Sequence, residues 1–249
     1  LSELPPEIGK LTNLKTLVLG RWDKKQDKVL GNYLKDLPGE IGKLVNLRTL
    51  FFYGNQFSEV PEVVGQLREL RSLNVNSNQL KELPEFIGLL SQLRVLNLGS
   101  NQLSAVPEVI GQLDELWKLE LDRNQLSAIP EFFGKLHKLT KLDLYGNNLS
   151  EVPKVIGQLT NLTDLKLGSN QLSAIPEFFC KLHKLTQLNF GSNQLSEVPE
   201  LIGQLTNLTE LSLYGNQFSE VPKVIGQLTK MTEINLASNQ LSEVPELIG

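Results

Sequence analysis

Leu70-Arg-Ser-Leu73-Asn-Val75-Asn-Ser-Asn78-Gln-Leu80-Lys-Glu-Leu83-Pro84-Glu-Phe-Ile87-Gly88-Leu-Leu90 decides the fold. Leu73 and Val75 alternate with Ser72, Asn74 and Asn76, the period-two pattern of a short strand with one buried face. The stretch then recurs. Asparagine returns every 23 residues at Asn32, Asn55, Asn78, Asn101, Asn124, Asn147, Asn170, Asn193, Asn216 and Asn239, and proline keeps the same beat from Pro38 to Pro245. Two residue types in phase over two hundred residues make the chain a repeat array, so its function is to be sought on a repeated surface.

One such unit cannot cover its own apolar face. Stacking the units sets their strands in a parallel sheet about 4.8 Å apart and merges the leucines into one core. The recurring asparagine then forms a buried ladder, its carboxamide satisfying turn groups that would otherwise be stranded. Pro followed by Glu, as in Pro107-Glu108 and Pro199-Glu200, suits the first turn of a short helix. Glycine a few residues later, as at Gly65, Gly88 and Gly157, reads as the helix stop, a place that Cys180 takes in its own repeat.

The pattern L-x-x-L-x-L-x-x-N-x-L resembles the leucine-rich repeat, and the resemblance covers nearly the whole chain. It implies an α/β solenoid: a horseshoe with a parallel β-sheet on the concave face and short helical or 3-10 turns on the convex face. The L-P-x-x-I-G-x-L form is similar to the intracellular Ras-group repeat proteins and to the repeats of bacterial Roco proteins. Those resemblances imply a signalling scaffold, a cytoplasmic setting and a bacterial source.

A single domain over residues 1–249 is expected, with about ten repeats and a ten-residue insertion near 21–30. The chain opens and closes inside a repeat, which reads as a piece of a longer protein. Its 24 basic and 28 acidic residues nearly balance, so nucleic acid is not an expected partner. No membrane-spanning run or signal peptide is visible. Cys180 is the only cysteine, which excludes an intrachain disulfide and points to a reducing compartment.

Candidate binding residues come from the positions that alternate away from the core. Arg48, Arg71, Arg94 and Trp117 stand in one column; Phe51, Asn74, Glu120, Asp143 and Lys166 in a second; Tyr53, Asn76, Asp122 and Tyr145 in a third. Aromatic residues and arginine are enriched where proteins meet. The later columns, rich in Thr, Gly and Ser, look blank beside them. Trp22, in the insertion among Arg21, Lys24, Lys25 and Lys28, either anchors a partner or folds back over the first repeat.

Catalytic chemistry finds no support. His137 and His183 echo a near-duplication and lie two repeats apart, too far to share a metal. Cys180 has no activating base in view, and no phosphate-binding loop or dinucleotide fingerprint occurs. No enzyme, metal or cofactor is therefore expected. The expected function is a scaffold that holds a protein partner, or another domain or subunit of its own full-length protein, on the concave face. A regulatory or dimerisation domain of a Roco-type GTPase is the alternative, and a secreted bacterial virulence factor the second.

Overall fold

The computed structural model of the chain describes residues 1–23 and 28–242, with backbone alone at 21–23 and 28–30. It divides into two compact units, Leu1–Gln125 and Leu126–Gly249. The first carries β1 (Thr16–Val18), β2 (Arg21–Asp23), β3 (Lys28–Leu30), β4 (Thr49–Phe51), β5 (Ser72–Asn74), β6 (Val95–Asn97) and β7 (Lys118–Glu120). The second carries β8 (Lys141–Asp143), β9 (Asp164–Lys166), β10 (Gln187–Asn189), β11 (Glu210–Ser212) and β12 (Glu233–Asn235).

Apart from β2 and β3, the three-residue strands of each unit pair in parallel and in strict register. Leu17, Leu50, Leu73, Leu96 and Leu119 align across β1, β4, β5, β6 and β7. Leu142, Leu165, Leu188, Leu211 and Ile234 align from β8 to β12. All but the first and last of these ten residues are buried. A shift of one residue would turn every one of them to the solvent face, so the alternation itself fixes the register.

The asparagine ladder completes each repeat. The Asn101 Oδ1 accepts the Leu80 N–H at 3.0 Å, while its Nδ2 donates to the carbonyls of Val75, Leu98 and Gly99. The same set recurs at Asn124, Asn170, Asn193 and Asn216, each under one-tenth exposed. The residue before each ladder asparagine from Asn55 to Asn239 has a positive φ: Gly54, Ser77, Ser100, Arg123, Gly146, Ser169, Ser192, Gly215 and Ser238. The chain must take a left-handed step there to aim the carboxamide inward, a requirement that the mixed residue types conceal in sequence.

The return path is a five-residue 3-10 turn such as Glu62–Gln66 or Glu108–Gln112, with proline as its N-cap. Here the glycine expectation is corrected. Gly65 lies inside its turn, which stops at Leu67 with φ −84 and ψ 66, and no left-handed glycine ends it. The glycine is small for a packing reason. A Cβ on Gly65 would stand 3.1 Å from the Phe86 ring, and one on Gly157 would stand 2.9 Å from Phe178. Cys180 is accommodated because the position needs ordinary backbone, without a positive φ.

The insertion also departs from expectation. Its backbone is an antiparallel strand pair, with Arg21 opposite Leu30, Trp22 opposite Val29 and Asp23 opposite Lys28. The ladder resumes directly behind it: the Asn32 Nδ2 donates to the Leu19 carbonyl across 13 residues, a bond that elsewhere spans three. The ten extra residues are thus spliced into one turn without disturbing the stack. The side chains of Arg21, Trp22 and Lys28, the whole of Lys24 and Lys25, and residues 243–249 with Pro245 lie outside the described residues.

Candidate functional site: the strand faces

In Leu1–Gln125 the exposed face of the sheet carries three columns. Arg48, Arg71, Arg94 and Trp117 are joined through their backbones, each N–H donating to the carbonyl of the residue one repeat earlier. Trp117 is 39% exposed, beside the exposed Arg94. The second column runs Val18, Phe51, Asn74, Asn97 and Glu120 in register. Glu120 is held by Lys118 at 2.8 Å and by the Asn97 Nδ2 at 2.5 Å, so its carboxylate is fixed on the face. Between the second column and the third, the Phe51 and Tyr53 rings stand 6.4 Å apart and tilted by 51°. Tyr53 lies over Gly20, and the Asn76 and Asp122 side chains close over Gly99 from its two sides.

In Leu126–Gly249 the predicted Asp143, Tyr145 and Lys166 come together. Lys166 pairs with Asp143 at 3.4 Å, and Lys141 approaches Asp164 at 3.8 Å, a crossed arrangement on β8 and β9. Asp143 also accepts the Tyr145 N–H at 3.0 Å. These groups are half-buried and engaged with one another, the opposite charges standing on adjacent strands. None of the thirteen candidates other than Trp22 is buried in the core.

The columns that look blank in sequence are occupied. Thr163, Thr186, Thr209 and Thr232 each turn the hydroxyl onto the threonine carbonyl one repeat earlier, at 3.0–3.1 Å. Gly168 and Gly191 form a floor on which Tyr145 and Tyr214 lie from opposite ends, their hydroxyls meeting at 3.5 Å. Hydrogen bonds from Ser192 and then Tyr145 hold the Tyr214 hydroxyl below the usual phenol range; burial opposes them and Ser169 adds to the lowering. Tyr214 was missed as a site residue, although the spacing Tyr145-Gly168-Gly191-Tyr214, two large residues flanking two absent side chains, is visible in the sequence.

Among the described residues no group of three or more His, Cys, Asp or Glu could hold a metal ion. His137 and His183 are exposed on the return side, where their carbonyls accept from Asn161 and Asn207. No helix among the described residues is long and apolar enough to cross a membrane.

With the repeats and their ladder in view, the comparisons are decisive. A family described as "Leucine-rich repeat region" matches residues 130–246, and one described as "Leucine rich repeat" matches residues 68–126. The chain belongs to the leucine-rich repeat family. Among solved structures, this leucine-rich repeat chain is similar to a leucine-rich repeat protein of Leptospira interrogans, at 39% identity and a TM-score of 0.91, covering 100% of this chain and 61% of that one. It is also similar to an internalin of Listeria monocytogenes, at 26% identity and a TM-score of 0.70, covering 88% of this chain and 68% of that one. A plant peptide hormone receptor, RGFR1 in complex with RGF2, shares 30% identity with a TM-score of 0.74, over 96% of this chain and 42% of the receptor. No curated protein sequence matches the chain.

Proposed function

We propose that this leucine-rich repeat chain is a binding scaffold that holds a protein partner on its concave strand face. The leucine-rich repeat fold is generally a protein-interaction module, and the receptor similar to this chain is seen with RGF2. The observation that carries the reading is Trp117: a tryptophan 39% exposed on a strand, at the end of the Arg48, Arg71 and Arg94 column. An indole left outside a core beside guanidinium groups is the composition of a binding hot spot. Phe51, Tyr53, Asn74, Asn76, Glu120 and Asp122 extend that patch on the first unit, and Asp143, Tyr145 and Lys166 form a smaller one on the second. Rigid strands lose little ordering entropy on binding, so such a face suits recognition better than catalysis.

The partner in this proposal is a separate protein in a reducing, cytoplasmic compartment, consistent with the lone Cys180. The similarity to the Leptospira protein supports a bacterial source. A regulatory role toward another domain of its own protein, as a Roco-type GTPase would require, is the second reading.

The test is affinity capture from source-cell lysate with wild type beside Arg94→Glu/Trp117→Ala, two exposed positions. A protein held by the wild type and lost by the variant supports the face. Equal capture by both removes the first unit's patch from the reading. An empty result for both removes a separate partner.

A further inference from the structure

The strand face of the second unit changes character along its length. On β8 and β9 every charge on the face is crossed with an opposite one, Lys141 with Asp164 and Asp143 with Lys166. A sheet arranged only for its own stability would continue in this way, because like charges set opposite one another are unfavourable. Instead β11 and β12 place Glu210 directly beside Glu233 in the parallel register, about 4.8 Å apart by strand spacing. Both are exposed, and no cation of the described residues lies within ion-pair distance of either; Glu210 receives only the Gln187 amide, at 2.9 Å.

The two glutamates line a depression of about 320 Å³ on β9 to β12. Asn189, Ser212, Tyr214 and Asn235 line it with them, and Asp164 and Lys166, the latter paired with Asp143, line it from β9. The asparagines are oriented. Asn189 Oδ1 accepts the Gly191 N–H at 2.8 Å, and Asn235 Oδ1 accepts the Ala237 N–H at 3.1 Å. Each oxygen is thus engaged at the sheet, which orients the carboxamide with its Nδ2 donor available to whatever lies above. These donors stand two strands apart, about 10 Å.

We propose that this face docks an extended, basic segment of a partner polypeptide, with one lysine or arginine side chain shared between Glu210 and Glu233. The inference rests on the reading of the chain as a protein-binding scaffold and names the partner chemistry for its second unit. The cation lies between the two carboxylates and relieves their mutual repulsion. The tyrosine face supplies a surface on which an ammonium stem or a guanidinium plane packs. Asn189 and Asn235 donate to backbone carbonyls of the same segment as it crosses the strands. Two carboxylates alone are too few for calcium, which takes six to eight oxygen ligands, and no group of three or more His, Cys, Asp or Glu among the described residues could hold a metal ion.

The experiment probes an array of nonapeptides, carrying Lys, Arg, Ser, Gln or Glu at each position in turn, with the full chain and with Glu210→Gln/Glu233→Gln. Both positions are exposed, so the variant keeps its fold, checked by an unchanged unfolding midpoint. The expected result is selection of peptides with a central Arg or Lys, weakened at least tenfold in the variant and steeply reduced by salt. Bound peptides without a basic preference overturn the inference and leave the scaffold reading standing, as does a basic preference that the variant retains. Calcium that binds in calorimetry and is lost in the variant overturns it in favour of a metal site. No bound peptide for either protein overturns the inference; captured lysate proteins would still uphold the scaffold reading, and an empty capture would sink that too.

Discussion

The hydroxyl of Tyr145 stands 3.5 Å from that of Tyr214, although 69 residues separate them. Three strand spacings, about 14 Å, lie between their backbones, and two tyrosines laid toward each other bridge that distance only over a bare floor. Gly168 and Gly191 supply it. A Cβ on Gly191 would overlap the Tyr214 ring, and one on Gly168 would come 2.9 Å from the Tyr145 ring.

The donors around Tyr214 favour its phenolate, so its folded pKa lies below the ordinary value of 10.0. Absorbance titration at 295 nm is expected to show one tyrosine ionising ahead of the others, and Tyr214→Phe to remove that step. A depressed pKa contributes stability that is fully present above the unfolded value and is lost as pH falls through the folded one, so this linkage favours the fold on the high-pH side of the tyrosine step.

Gly191→Ala is expected to swing the Tyr214 ring off its floor and break the meeting with Tyr145. Because the ring has solvent to move into, stability should fall by less than about 1 kcal/mol. The same titration reads the outcome: the early tyrosine step moves back toward 10.0. A step left in place would show that the floor does not need to be bare.

Asn147→Ala should loosen the second unit by about 1–3 kcal/mol, because buried turn groups lose their partners. Its Oδ1 accepts the Leu126 N–H at 2.9 Å and its Nδ2 donates to the Leu144 carbonyl at 3.1 Å. Urea unfolding followed by circular dichroism measures the change, and an unmoved midpoint would contradict the ladder.

Arg123→Gly should raise stability. Arg123 holds a φ of 52° at the left-handed step where Gly54, Gly146 and Gly215 stand in other repeats. Relief of about 1–2 kcal/mol of backbone strain is offset by about 0.5–1 kcal/mol of glycine entropy, leaving a gain of up to about 1.5 kcal/mol. Differential scanning calorimetry is the check. Gly146→Val, its converse, should lower the midpoint.

Leu96→Ala removes a fully buried side chain from the aligned leucines of the first unit and should cost about 2–5 kcal/mol. Chemical denaturation at several wavelengths will show whether the loss spreads through neighbouring repeats.

What could be read without coordinates was everything that depends on a period. The phase of Asn78 and Pro84, and the alternation of Leu73 and Val75, determine the parallel strands, the buried face and the asparagine ladder, because a stack of equal units allows one arrangement of equal residues. The ten-residue insertion was visible as a slip in that period, while its antiparallel pairing was not, since a single unrepeated segment offers no phase to compare. What a side chain does on the exposed face was decided only in three dimensions. Thr163 and Thr186 look idle until their hydroxyls are seen turned onto the backbone. Glycine 65 looks like a stop signal until Phe86 is seen packed on it. The fold follows from spacing along the chain; the face depends on contacts between residues 23 or 69 apart, which alternation leaves open and only the stacked structure settles.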